Sequence, residues 1–240
     1  MLKRSIDIAV FGATGFSGRL VTTHLATLYG DRFRIAAAGR DGNKLERLRE
    51  ALGRDRISTI VADANDPASL KQLAATARVV ISTVGPYHSQ GTALVEACAE
   101  AGTDYCDLSA EPDWILRMIH EQEGRAIESG ARLLFSCGFD SVPSEIGVMA
   151  LQREALDGFH VPLRQIGYRI SAEAPPLSGG TIASLRGNLE RAAHNAQVAA
   201  LLADPFSLTP QFRGSVFASE PVSFDAVIGE WTAPLSLIHI

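Results

Sequence analysis

Three glycines stand at a spacing of three in Gly12-Ala13-Thr14-Gly15-Phe16-Ser17-Gly18, directly after an apolar run at 6–11. That pattern does its chemistry with the backbone. A tight glycine turn exposes main-chain N–H groups, and a Cβ there would keep a pyrophosphate away from them. A helix over 19–28 would add partial positive charge at its N-terminus, and Gly18 would let it lie close on the preceding strand. The spacing is one residue longer than the commonest dinucleotide fingerprint, so its place at a first strand-to-helix turn carries the reading. Gly12, Ala13, Thr14, Gly15, Phe16 and Gly18 are therefore expected to form a pyrophosphate-binding loop.

The second strand ends Ala38-Gly39-Arg40, with Lys44 one helical turn further on. An NAD site usually carries an acid there for the ribose hydroxyls. Two cations suit a 2′-phosphate instead, which favours NADP over NAD. Asp41 keeps another reading open, in which Arg40 and Lys44 are solvated charges at a helix start. Asp63 after the third strand and Gly85-Pro86 after the fourth stand at carboxyl ends, where a dinucleotide lies along the sheet crevice. Asp63 is placed for the adenine side or for ordinary turn chemistry, and Gly85 and Pro86 for the ribose or nicotinamide floor.

Candidates for proton transfer follow the later strands. Tyr87 and His88 come after Gly85-Pro86, and either could donate to a substrate being reduced. Asp140 and Ser141, in Cys137-Gly138-Phe139-Asp140-Ser141-Val142-Pro143-Ser144, leave the sixth strand beside the nicotinamide half; the alternative is that this run only shapes a turn. Tyr87, Asp140 and Ser141 are the catalytic candidates. Ser178-Gly179-Gly180-Thr181 opens a helix and either binds an anionic group or caps that helix. No His-x-x-x-His pair appears, so no metal is expected, and no Gly-x-Ser-x-Gly elbow marks a hydrolase.

The elements that position these residues alternate in type. Strands are predicted at 6–11, 34–38, 57–62, 79–83, 104–106 and 132–136, separated by helical periodicity. Asp66-Pro67 is a capping acid before a first-turn proline, and Gly53, Gly102 and Gly130 are helix stops. The order predicts an α/β fold, a doubly wound parallel sheet of the Rossmann type. Beyond residue 157 the pattern changes to an alternating strand at 165–171, a loop at 174–180, a long helix over 181–203 and a strand-like stretch near 224–228. A partial α+β domain is expected there, and since the closing residues 234–240 lack a polar finish or helix cap, the chain is expected to stop where no domain naturally ends.

Length fits this division. At about 150 residues per domain, 240 residues make roughly 1.6 domains, read as a dinucleotide-binding unit at 1–157 and a truncated substrate or oligomerisation domain at 158–240. The 46% hydrophobic and 20% charged composition is that of an ordinary globular chain. A net charge of −5 argues against a nucleic-acid surface. Cys98, Cys106 and Cys137 suggest neither disulfides nor zinc, and a cytoplasmic home is the expectation. No run of about 18 apolar residues exists to span a membrane.

The ordered motifs Gly12 to Gly18, Ala38-Gly39-Arg40, Thr83-Val84-Gly85-Pro86-Tyr87, Tyr105-Cys106-Asp107-Leu108-Ser109 and Cys137 to Ser144 make the chain similar to the saccharopine dehydrogenase-like oxidoreductases. The resemblance points particularly to the branch with the mycobacterial trans-acting enoyl reductases, and covers about residues 5–190. Ala110 stands where many relatives have glycine before the acid corresponding to Glu111, and Glu145 replaces the commoner aspartate. The resemblance implies an NADP-dependent reduction of a C=C (enoyl) or C=N bond on a small or lipid-like substrate, with assembly into homo-oligomers left open. The alternative is a dinucleotide-binding module without turnover, acting as partner or scaffold.

Overall fold

The computed structural model describes residues 4–139, 141–170, 179–204, 206–209 and 222–233. Six parallel strands, β1 (Ile6–Phe11), β2 (Ile35–Gly39), β3 (Ile57–Val61), β4 (Ala77–Ser82), β5 (Asp104–Asp107) and β6 (Leu133–Leu134), form one sheet in the order β3-β2-β1-β4-β5-β6. The order reverses between β1 and β4, so a crevice opens at their carboxyl ends. Covered on both faces, the central strands are continuously apolar: Ala36, Ala37 and Ala38 of β2 are fully buried, as are Ala9 and Val10 of β1.

Helices α1 (Phe16–Tyr29) and α2 (Gly42–Leu52) cover one face, where Ala26, Leu45 and Leu48 meet Val10, Ile35 and Ile57. The other face is covered by α3 (Pro67–Thr76), α5 (Thr92–Ala101) and α6 (Pro112–Ser129), with the single turn α4 (Tyr87–Gln90) ahead of α5. Leu70, Leu73, Leu94, Met118 and Trp114 form that larger core. Removing each such leucine from water contributes roughly 2 kcal/mol. Asp66 caps α3 with Pro67 in its first turn, and Gly102 and Gly130 end α5 and α6 in the left-handed conformation.

The predicted sixth strand is cut to two residues. Ser136 takes a φ of 56°, and the N–H groups of Ser136 and Cys137 turn to the Asp107 carboxylate and carbonyl, at 2.9 and 2.7 Å. The later region departs further from expectation. Helix α7 (Val142–Phe159) buries only Ser144 and Ala155. Residues 165–170 make no strand, since their alternation finds no partner among the described residues; Ser171 and the rest of the expected 174–180 loop up to Ser178 lie outside the described residues, as do 234–240. The long helix is two, α8 (Gly179–His194) and α9 (Ala196–Ala203), because Asn195 is extended and its side chain accepts from the N–H groups of Gln197 and Val198. The stretch near 224–228 is a hairpin, β7 (Ser223–Asp225) and β8 (Glu230–Thr232), turned by Gly229 at a φ of 72°.

Candidate functional site

Gly12 leaves β1 at a φ of 84°, and a Cβ there would meet the Thr83 hydroxyl and a Val84 methyl at 2.7 Å. Gly18 lies against the loop's own backbone, where a Cβ would stand 2.1 Å from the Gly12 carbonyl oxygen. These contacts press α1 onto β1 and β4. Gly15 caps α1 without any side-chain hydrogen bond, and its first turn holds no acid. By contrast Asp41 and Asp66 cap α2 and α3 with their own carboxylates. The open first-turn donors of α1 are thus left for an anion brought from outside.

Those donors face a cleft of about 450 Å³ at the switch point. Thr14, Gly15, Phe16, Arg40, Asp63 and Gly85 line it, with Gly179 and Gly180 from the start of α8. Arg40 is exposed and has no hydrogen bond or ion pair among the described residues. Asp41 does not neutralise it, because that carboxylate caps α2 through the Lys44 N–H at 3.1 Å and holds the Lys44 ammonium at 3.9 Å. Lys44 is thereby drawn away and does not line the cleft. Asp63 lines it, with Oδ1 turned to the Asn65 main-chain N–H at 2.9 Å.

Beside the cleft lie two buried carboxylates. Asp107 accepts from the Tyr105 hydroxyl (2.8 Å), the Ser109 N–H and hydroxyl (3.0 and 2.7 Å) and the Ser136 N–H (2.9 Å). Burial nevertheless pushes its carboxyl above the usual range, against the pull of those hydrogen bonds. Glu111, fully buried, accepts the N–H of Tyr87 and of His88, both at 2.8 Å, and the Ser184 hydroxyl at 2.9 Å; His88 Nδ1 is also 2.8 Å away.

Comparison with known proteins supplies the ligand class. Residues 8–134 match the family model described as the saccharopine dehydrogenase NADP binding domain. The chain belongs to that family. It is 39% identical over 216 residues to the trans-acting enoyl reductase of Mycobacterium tuberculosis, covering 86% of this chain and 50% of that protein. To the trans-acting enoyl reductase of Mycobacterium leprae it is 37% identical, covering 92% and 57% respectively. The chain therefore spans about half the length of the curated relatives it matches. Among solved structures, apo saccharopine dehydrogenase (L-Glu forming) from Saccharomyces cerevisiae superposes with a TM-score of 0.50 at 19% identity, over 63% of this chain and 32% of that one. That likeness shows the fold.

Within this NADP-binding family member, Gly12, Thr14, Gly15, Phe16, Arg40, Asp63 and Gly85 come together on the cleft. Ala13 and Gly18 are buried beneath it as packing of the loop. Pro86, joined to Gly85 by a cis peptide, caps α4. Tyr87 is 5% exposed, and its hydroxyl donates to the Ser82 carbonyl and accepts from the Leu108 N–H, at 3.1 and 3.2 Å. Burial and the neighbouring Asp107 raise its pKa further from neutrality, and its ring packs beside Gly85, outside the cleft lining. Ser141 begins α7 without capping it by its side chain, and it is not among the cleft residues; Asp140 lies outside the described residues. Burial, then Asp107, pushes the Cys137 thiol up, which keeps it uncharged. Sequence reasoning gave Gln90, Thr83 and Glu111 no role in the site. Glu111 before Pro112 carries the signal of a helix cap, yet its side chain does not cap α6.

Among the described residues no three His, Cys, Asp or Glu side chains gather as a metal site, and no helix is long and apolar enough to cross a membrane.

Proposed function

We propose that this chain is the cofactor-binding part of an NADP-dependent oxidoreductase that reduces the C=C bond of an enoyl group on a small or lipid-like substrate. The observation that carries it is the pairing, on one cleft, of an uncapped α1 first turn with an unneutralised Arg40. In this reading Gly12, Thr14, Gly15 and Phe16 surround the pyrophosphate, with Ala13 and Gly18 fixing the loop beneath. Arg40 takes the 2′-phosphate, where a guanidinium can form two parallel charge-assisted bonds. Asp63 borders the adenine side, and Gly85 with Pro86 shapes the nicotinamide side. When bound, the cofactor supplies the hydride. The chain's part is to hold the ring against the floor made by Gly85 and Thr83 and to keep water out. Ser141 with Asp140 is assigned to the substrate border, and residues 158–240 to the start of the substrate-binding region. The names of the mycobacterial relatives favour the enoyl substrate over an imine.

A second reading keeps cofactor binding but places turnover elsewhere. It is favoured by the cleft itself: among the described residues its charged lining groups are the Arg40 guanidinium and Asp63, whose carboxylate is turned to Asn65. The proton donor would then come from a partner protein.

Titration of the purified chain with NADPH and NADH, followed by nicotinamide fluorescence, tests the cofactor reading. NADPH is expected to bind at least about tenfold tighter than NADH, a difference of about 1.4 kcal/mol. Failure of both to bind below millimolar concentration overturns it. NADPH consumption over a panel of enoyl thioesters and imines then separates the two readings.

A further inference from the structure

Helix α8 is docked the wrong way round for an ordinary amphipathic helix. Its apolar residues Ile182, Leu185 and Leu189 are 54%, 54% and 63% exposed. Its polar residues Ser184, Asn188 and Arg191 face the α/β unit. Asn188 donates to the Ala110 carbonyl at 2.9 Å, and Arg191 forks onto Asp113 at 2.9 and 3.0 Å. Ser184 donates to Glu111 at 2.9 Å. Asn188 is the one side chain that α8 buries. Such a contact rests on hydrogen bonds and the Arg191–Asp113 ion pair more than on apolar burial, so each bond matters to where the helix sits.

Glu111 is the centre of this contact. Its Oε1 takes the Tyr87 N–H and the Ser184 hydroxyl, and its Oε2 takes the His88 N–H and faces His88 Nδ1. An Nδ1 proton given to Glu111 leaves that nitrogen no lone pair for Arg191 Nη1, 3.0 Å away, so the firm bonds of Arg191 are those to Asp113 and Asn188. One carboxylate thus ties the loop after β4 to α8. The loop contributes Gly85 to the cleft, and α8 contributes Gly179 and Gly180.

We infer that Glu111 is a positioning residue that holds α8 over the nicotinamide half of the cofactor cleft. The inference rests on the NADP reading of the cleft. It assigns Glu111 no contact with the cofactor; it acts through Ser184 and the main chain of Tyr87 and His88. Arg40 serves the other half, beyond the switch point, where the sheet binds the adenine nucleotide.

The test compares Glu111→Gln and Ser184→Ala with the parent chain, using two probes: NADPH and its adenine half, 2′-phospho-ADP-ribose. Glutamine offers one acceptor oxygen and turns an NH₂ toward donors. The NADPH dissociation constant is expected to rise about tenfold in E111Q and less in S184A, with the adenine-half probe bound as in the parent. Amide exchange across 182–191 is expected to accelerate in both variants. Equal weakening of both probes would mean that Glu111 only supports the fold and overturns the inference. Unchanged NADPH affinity with unchanged exchange in either folded variant also overturns it. S184A leaves the loop contacts of Glu111 intact and so decides the matter if E111Q does not fold. If the parent binds neither probe, the cofactor reading falls, and unchanged exchange in the variants separately removes the tether.

Discussion

At the amino ends of the strands, the Arg4 guanidinium gathers the carbonyls of Ala74, Ala77 and Ala101 and the hydroxyl of Thr103. Nearby Arg34 forks onto Asp7 at 2.9 and 3.0 Å, and Arg132 pairs with Asp104. At the carboxyl ends of the same strands the chain does the opposite. The α1 donors have no cap, Arg40 has no partner among the described residues, and glycines replace side chains where β1 meets α1. One end satisfies its polar groups internally, whereas at the other the glycine loop and Arg40 keep open donors, although Asp107 there is satisfied from within. The comparison teaches that the two ends should respond to substitution through different measurements, stability at one and affinity at the other.

The largest effect is expected from Gly18→Ala, where both measurements fail together. The added methyl would stand 2.1 Å from a backbone oxygen, which has no flexible end to move aside. Overpacking of this kind costs on the order of 3 kcal/mol, and it displaces the loop proposed to meet the pyrophosphate. A lowered melting temperature together with lost NADPH binding is the expected result. Retained NADPH affinity in G18A would show that the close approach of α1 is not needed for the cleft.

Arg4→Met separates the ends. Carbonyls at Ala74, Ala77 and Ala101 lose a charged donor in a half-buried place, a loss of about 2 kcal/mol. Chemical denaturation should show it while NADPH affinity stays that of the parent. Arg40→Asp should do the reverse. On the proposed reading it removes the partner of a 2′-phosphate and offers an acid to ribose hydroxyls, so the NADPH dissociation constant should rise at least about tenfold and the preference move toward NADH. The melting temperature should not move, since Arg40 has no hydrogen bond or ion pair among the described residues. If R4M weakened NADPH binding as much as R40D, the division between the two ends would be broken.

Much of this contrast is legible in the sequence because its causes are local. Gly12 to Gly18 sits directly after an apolar run, Asp66-Pro67 announces a helix start, and Gly102 and Gly130 announce two stops. The place of Arg40 at the end of the second strand is readable for the same reason. Glu111 is not, since its partners Tyr87 and His88 lie 24 and 23 residues back and Ser184 lies 73 ahead. Local pattern makes it a helix cap, and only the packed fold turns it inward. The burial of Tyr87 is hidden likewise, because the Trp114 ring that covers it, with centroids 5.5 Å apart, comes from another helix. The stretch 165–170 shows the converse: alternation signals a strand, but a strand also needs a neighbour to pair with.

The smallest effect tests the closed end through pH. Arg34 holds the Asp7 carboxyl down at about 2, from an ordinary value of 3.8. The folded state therefore releases this proton more readily than the unfolded chain. Its contribution is present in full above the unfolded value, and is lost as pH falls from about 4 through about 2. Asp107 has the opposite sign, since burial raises its carboxyl: the folded state keeps that proton where the unfolded chain has lost it, so acid favours folding there. Asp7 is reached by solvent, and its pair should be worth at most about 1 kcal/mol. In Asp7→Asn the melting temperature should fall less steeply between pH 4 and pH 2 than in the parent, with the two curves separated most above pH 4. Added salt should narrow that separation by screening the ion pair. A D7N curve parallel to that of the parent would show that Arg34 closes this end through its bond to the Arg4 carbonyl, 3.2 Å away, and not through charge.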